Sequence, residues 1–359
     1  MKKSLIFTII ILLGVGGFLV YNHFTAKKAL SAWDLVPQET VLVYESGSCQ
    51  ECVSQIRKSP ISSLIKKAAL LNAGHDSITV LQDLATSFSE PTLISLHVTK
   101  RDEFDFTYYV KASPSFIGKV HAAQNALLKI KGSKGRQREF NNIAINEIEI
   151  GKSVFSWIAI GDVWVGSFSP VLIEDVIRTY QGSQTFKTTL GHVYHLHSVK
   201  NDGGNLFINL SSLPKWFSLF VKGDGARMIT DFGRAELLDT KVAGDQIVLN
   251  GFSANADSKT FLAAFSDQQP VPFSLRQIIS NRAVMVTSYG FTNAARFSAR
   301  LDQNAGKSGR DSLAIIFNEA NVKADQLLQS YSGELAVCWL EGNRETLVPL
   351  VILQDNNGI

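Results

Sequence analysis

The stretch Trp33–Cys52, W-D-L-V-P-Q-E-T-V-L-V-Y-E-S-G-S-C-Q-E-C, decides how the rest of the chain is read. Thr40–Glu45 is rich in β-branched, aliphatic and aromatic residues and predicts a strand. Pro37 stands at its entry, where a strand needs no ladder donor, and Gly47-Ser48 breaks it. Cys49-Gln-Glu-Cys52 follows at the expected start of a helix, and its two thiols form the chain's most recognisable chemical motif.

Downstream, Val53–Leu71 carries apolar residues at helical spacing, divided at Pro60, and Asp76–Phe88 repeats that pattern. Thr92–Thr99 and Phe104–Ala112 bracket the charged turn Lys100–Glu103 and predict a hairpin. Ser113-Pro114 opens a helix to about Ile130, with serine as its cap. Lys131–Arg138 reads as a basic, glycine-punctuated loop. Strands are expected at 139–150, 153–160 and 162–168, then a helix over Pro170–Tyr180. Leu206–Leu210 predicts a strand, Pro214–Val221 a short helix, Arg234–Val242 and Gln246–Ala254 an antiparallel pair, and Thr260–Ser266 a helical turn. Hairpins alternating with single helices imply an α+β fold with a mostly antiparallel sheet.

Upstream, Lys2 and Lys3 precede an apolar run from Leu5 to Tyr21 that contains no charge. Seventeen helical residues reach about 25 Å, the short end of a bilayer-spanning length. The run exceeds the apolar core of most secretory signals, and no small-residue cleavage site follows at once. An uncleaved transmembrane helix is therefore expected ahead of a cleaved signal. It places residues 30–359 beyond a bacterial inner membrane, in the periplasm, with a single pass and a cytoplasmic tail of residues 1–4. Hydrophobic residues make up 45% of the 359, which is enough to build a core. The net charge of +3 comes without a long basic run, so nucleic acid is not an expected partner. Three cysteines are too few for a disulfide scaffold.

The opening pattern recurs. Ile279–Gly290 lies over Val36–Gly47 at an offset of 243, and the same offset aligns Arg57 with Arg300, Leu70 with Leu313 and Leu84 with Leu327. The expected organisation is a tail (1–4), an anchor (5–21), a spacer (22–33), an α+β domain (34–270) and the start of a second, incomplete copy (271–359).

With Asp34–Glu45 and the weaker Ile279–Gly290 on the page, the chain resembles a family of exported, membrane-anchored bacterial proteins of unknown function. Their large α+β domains, sometimes in tandem, open on such a Val-Pro strand. The second copy departs from the pattern by carrying Ser280 in place of the proline. The resemblance implies no activity, cofactor or catalytic residue.

Five groups of side chains invite a chemical or binding reading. Cys49 and Cys52, at a helix start, have the spacing of thiol–disulfide oxidoreductases, whose attacking thiol is activated by the helix N-terminus. Glu51 between them opposes thiolate formation, and the second copy has Thr292 and Ala295 at these positions. A surface pair, free or closed as a small disulfide, is the simpler reading; two thiols alone lack the ligands of a zinc site. His195 and His197 would share a strand face and could chelate a metal, helped by His192 or Asp202, although a polar strand edge next to a loop is the simpler reading. Ser63-Leu-Ile-Lys66 has the S-x-x-K spacing of penicillin-interacting serine enzymes without their companion motifs, and reads as one helix face. Lys129, Lys131, Lys134, Arg136 and Arg138 make a solvated basic loop, and Trp216, Phe217 and Phe220 are core residues or an exposed apolar patch.

The sequence therefore implies a binding or scaffold protein facing the envelope, with no cofactor and no chemistry of its own, held at the inner membrane through residues 5–21 and able to meet another envelope protein. A thiol–disulfide oxidoreductase and an envelope chaperone or assembly factor are the alternatives. If residues 271–359 are an incomplete unit, limited proteolysis of the full chain will cut them before residues 34–270; equal resistance contradicts the expectation.

Overall fold

Short hairpins account for most of the sheet pairing. In the computed structural model the described residues are 30–48, 50, 54, 90–101, 103–151, 153–196, 204–220, 232–243, 246–254, 260–304, 331–342 and 347–355. The expected anchor at 5–21 and most of the expected helices at 53–71 and 76–88 lie outside them. Among the described residues no helix is long and apolar enough to cross a membrane.

Strands β1 (Leu42–Ser46), β2 (Thr92–Lys100), β3 (Glu103–Lys111), β4 (Lys134–Phe140), β5 (Ile143–Ile150), β6 (Ser153–Ile160), β7 (Val163–Ser167), β8 (Asn205–Asn209), β9 (Ala235–Ala243) and β10 (Gln246–Ala254) form one sheet. Its order is β10-β9-β8-β1-β2-β3-β7-β6-β5-β4, and every neighbouring pair is antiparallel. Helices with described bounds are α1 (Pro114–Leu128), α2 (Pro170–Tyr180), α3 (Phe186–Leu190), α4 (Leu213–Phe217) and α5 (Ala294–Asn304). The fold is thus α+β with a mostly antiparallel sheet.

The expected basic loop is instead strand β4. Asn141 and Asn142 both take positive φ, 50° and 62°, the conformation of a two-residue hairpin turn that asparagine tolerates. The turn folds Lys134–Phe140 back on β5, where Glu147 accepts the guanidinium groups of Arg136 and Arg138. Charge hid a strand that cross-strand pairing neutralises.

Each face of this sheet carries a helix and a buried cluster. On one, α1 starts at Ser113, whose Oγ accepts from Phe116 N at 3.0 Å and so satisfies an early helical donor. Phe116 and Leu127 bury against Val110, Ile148, Phe155, Trp157 and Trp164. On the other, α2 turns Ile173, Val176 and Ile177 onto Ile158, Val163 and Val165. Trp33, on a 3-10 turn (Ala32–Leu35) just before β1, ties this layer together. Its ring stacks on Phe186 at 6.5 Å and meets Tyr194 and Phe207 edge-on at 5.3 and 4.7 Å, while its Nε1 donates to Glu45 Oε1 at 2.9 Å.

A second sheet contains β11 (Ala283–Phe291), β12 (Gly333–Glu341) and β13 (Leu347–Asp355) in that order, again antiparallel. Its register copies that of β1–β2–β3. Adding 243 to both members of Leu42↔Leu96 gives Met285↔Trp339, and adding it to Thr92↔Val110 gives Leu335↔Leu353; both pairs occur. The entry turn matches too. Asp34 N donates to Ser31 O and Gln277 N to Ser274 O, while Thr40 N donates to Pro37 O and Ala283 N to Ser280 O. The 3-10 segment Leu262–Phe265 sits beside this sheet: Phe261 and Phe265 join Tyr289, Phe291, Phe297 and Tyr331 in one aromatic cluster.

Gly166 in β7 is a packing requirement, because a Cβ there would run into the rings of Trp164 and Phe155. Gly166→Ala is expected to lower stability by about 1–3 kcal/mol through overpacking, read as a lower urea midpoint with an unchanged slope; an unchanged midpoint contradicts this packing.

Candidate functional site

Antiparallel pairing brings side chains of one face into rows across the sheet. One such row is polar: Ser95 (β2), Thr107 (β3), Ser167 (β7), Ser156 (β6) and Glu147 (β5) are successive cross-strand partners. All five are buried. Buried polar groups are usually hydrogen-bonded, and partners are visible for Ser95, Ser167, Ser156 and Glu147. Ser167 Oγ donates to Phe106 O at 2.8 Å, and Ser156 Oγ to Glu147 Oε1 at 3.1 Å. Arg136 Nε reaches Glu147 Oε2 at 2.5 Å and Arg138 Nε reaches Oε1 at 2.8 Å, so the carboxylate is gripped from both sides. Burial alone would raise the pKa of Glu147, but the bonds from Arg138, Arg136 and Ser156 hold it below the usual range. Arg138 continues to Glu174 of α2 at 2.8 Å, and Arg178 on the same helix pairs with Glu174 and Asp175.

The other end of the row has the look of a nucleophilic site. Ser95 Oγ lies 2.6 Å from His97 Nε2, and Asp105 is the cross-strand partner of His97. Serine, histidine and aspartate are the composition of a hydrolytic triad. The geometry does not deliver one. Asp105 Oδ1 accepts from its neighbour Phe106 N at 2.7 Å. Burial, with Glu103 adding repulsion, pushes the Asp105 carboxyl up to about 6 against that backbone bond. Ser95 and His97 are 0% and 5% exposed, so no substrate reaches the hydroxyl. Burial pushes the imidazole down to about 3 and keeps it neutral at pH 7. Tyr109, also sealed, has its phenol pushed up by burial, and Ser95 Oγ lies 3.4 Å from its hydroxyl. This cluster fixes strand register. No single residue type in the sequence marked it, since it exists only once three strands are paired.

The side chains singled out from sequence are dispersed. Cys49, Cys52, Ser63, Lys66, His197 and Asp202 lie outside the described residues. His192 and His195 lie on a 3-10 turn, Gly191–His195, rather than on a strand, so the alternation that would have aligned His195 with His197 is not in force there. Both are exposed. Among the described residues no group of three or more His, Cys, Asp or Glu could hold a metal. Cys338 is a free, fully buried thiol on β12, its pKa raised by burial. Two of the five basic loop charges, Arg136 and Arg138, are taken up by Glu147.

Trp216, Phe217 and Phe220 do come together, and with partners the sequence did not indicate. Phe104 of β3 lies 6.3 Å from Trp216, 6.0 Å from Phe220 and 5.9 Å from Phe106. Trp216 lies 5.3 Å from Phe217 and 5.1 Å from Phe220. Phe220 is 59% exposed. The result is an aromatic platform at the end of α4, partly buried except at Phe220. Searches against protein-family models, curated proteins and solved structures find no match.

The buried imidazole gives a pH signature. The unfolded chain binds a proton at His97 below about pH 6.5 and the folded chain does not until about pH 3. Stability is therefore lost as pH falls through that window. From pH 7 to 4.5 the loss from this residue is about 2–3 kcal/mol. Urea titrations of the wild type and His97→Gln should converge as pH falls; parallel curves contradict a neutral buried imidazole.

Proposed function

We propose that the chain is a membrane-anchored, envelope-facing protein that works by binding or scaffolding, without chemistry of its own. The observation that carries this reading is a division within the fold. The groups able to do chemistry, Ser95, His97, Tyr109 and Glu147, are sealed in the sheet. Exposed apolar side chains are present at Phe220 beside the aromatic cluster, and along β10 and β11 at Ile247, Leu249, Val284 and Met285. Contiguous exposed apolar surface is what an interaction site requires.

Anchoring rests on the uncharged run Leu5–Tyr21. The resemblance of Asp34–Glu45 to exported bacterial proteins supports a periplasmic placement, with residues 271–359 as the beginning of a second unit. The Cys49-x-x-Cys52 motif keeps the oxidoreductase alternative alive, since β1 ends at Ser46 and delivers the chain to it.

Two measurements test the proposal. Alkaline extraction of membranes should leave the full chain in the pellet, whereas a variant with Leu12→Arg and Gly16→Arg in the run should be released or fail to insert; extraction of the wild type contradicts the anchor. Thiol trapping in intact cells, with Cys338→Ser, should find Cys49 and Cys52 in one static redox state. A mixed population that follows the cell's oxidant supply, with trapped mixed disulfides, contradicts the non-catalytic reading.

A further inference from the structure

Phe261–Phe265 lies between the two sheets in sequence and touches both. Leu210 N donates to Arg234 O at 3.0 Å, one bond beyond the Asn209↔Ala235 pairing of β8 and β9, so Phe232 and Gly233 are held at the end of the first sheet. Leu262 N donates to Phe232 O at 2.9 Å. A Cβ on Gly233 would lie 2.7 Å from Leu210 Cδ1 and 3.0 Å from Leu262 Cδ1, so the glycine leaves room for the two leucines to close over it. The ring of Phe261 stacks on that of Phe232, with centroids 5.4 Å apart and planes 18° from parallel.

The rest of the same element belongs to the second sheet. Ala264 is fully buried in the cluster of Phe291, Ala294, Phe297, Tyr331, Leu335 and Val337. Phe265 lies 4.6 Å from Phe297 and stacks on Tyr289 and Phe291 at 5.9 and 5.6 Å. Phe261 meets Tyr289 and Phe297 edge-on, both at 5.9 Å, so one ring touches both bodies. The chain leaving the turn is tied down as well. Asp267 pairs with Arg300 of α5 at 2.5 Å, and Gln268 Oε1 accepts from Thr292 N and Asn293 N at 2.9 and 3.0 Å. Two domains joined by a free linker move against each other by default. A linker whose side chains are divided between two packed cores lacks that freedom.

We propose that Phe261–Phe265 is a locking joint that fixes the second sheet on the first, so that the two move as one body. Leu262 is its plug in the first sheet, Phe261 is the ring shared by both, and Ala264 and Phe265 are its root in the second. The joint is made of packing and one backbone bond. It needs neither the membrane nor a binding partner, so it stands or falls apart from the scaffold reading. In a scaffold it sets a fixed spacing between the surfaces of the two sheets.

Pulsed EPR on the full chain in detergent tests it, with spin-labelled non-canonical residues at two exposed positions, Ser115 on α1 and Ala295 on α5. The wild type is expected to give one narrow distance between the sheets. Phe232→Ala with Leu262→Ala removes the shared stack and the plug but no member of the buried second-sheet cluster. The distance distribution should then widen at least twofold. A control pair within the second unit, Ala295 with Val348 on β13, should keep its width. Should that control widen too, Phe232→Ala alone, which changes only a first-sheet residue, is read by the same two distances and should still widen the first. A wild type with a broad distribution between the sheets overturns the proposal. So does an unchanged width in a variant whose control pair stays narrow, because the sheets are then held together elsewhere. Widening of the control in Phe232→Ala also overturns it, since the contact then builds the second unit and does not join two finished ones.

Discussion

Every strand at the margin of a sheet leaves half of its backbone N–H and C=O groups without a strand partner, and this chain has four such margins among its described residues. How each margin is handled organises the molecule. The ten-stranded sheet runs from β10 to β4, with β1 inside it, and at β4 it ends in charge. The three-stranded sheet ends in a proline-bearing strand on one side and in β11 on the other. β1 and β11 share a register, so the contrast between a covered and an open strand arises from neighbours and not from the strands' own residues. Val41 and Val284 are the same amino acid in equivalent places with opposite exposure.

The polar row across the first sheet explains how so wide a sheet keeps one register. Slipping a strand by one residue moves every side chain to the opposite face. Here that would pull Ser156 away from Glu147, leaving a buried hydroxyl and a buried carboxylate short of a partner. An apolar row tolerates sliding better than one ending in Glu147 between Arg136 and Arg138. Losing these partners would leave the buried Glu147 carboxylate uncompensated, so correct pairing is strongly specified. Trp33 complements it from the sequence end: a single ring touches α3, β8 and the 3-10 turn carrying Tyr194, and its Nε1 is bonded to β1.

Much of the fold was legible in the sequence. Alternation and turn residues located β2, β3, β8, β9 and β10 closely, a serine-proline start located α1, and apolar residues at helical spacing located α2. The failures have specific causes. β4 was hidden because Lys134, Arg136 and Arg138 look like loop residues until Glu147 faces them, although Asn141-Asn142 already carried the turn signal. His195 was expected on a strand with His197, but Gly191–His195 is a tight helical turn whose Val193 joins the core cluster of Trp33. The candidate sites were less legible for a deeper reason. Ser95, His97 and Asp105 meet through the β2–β3 pairing, and Phe104 meets Trp216 across a gap of 112 residues, 216 less 104. Such meetings are properties of topology. The aromatic platform was half visible, as Trp216-Phe217 and Phe220, and its β3 half was not.

The account rests on two sheets with one register and one unequal edge, and residue-resolved hydrogen exchange on the dilute full chain tests that most directly. Amides of Met285 and Thr287, bonded to β12, should be protected, while those of Val286 and Ser288 exchange freely. In β1, Leu42, Val43, Tyr44 and Glu45 should all be protected, because both sides are paired. Slow exchange at Val286 and Ser288 at high dilution, or exchange at Val43 as fast as at Val286, would contradict the account.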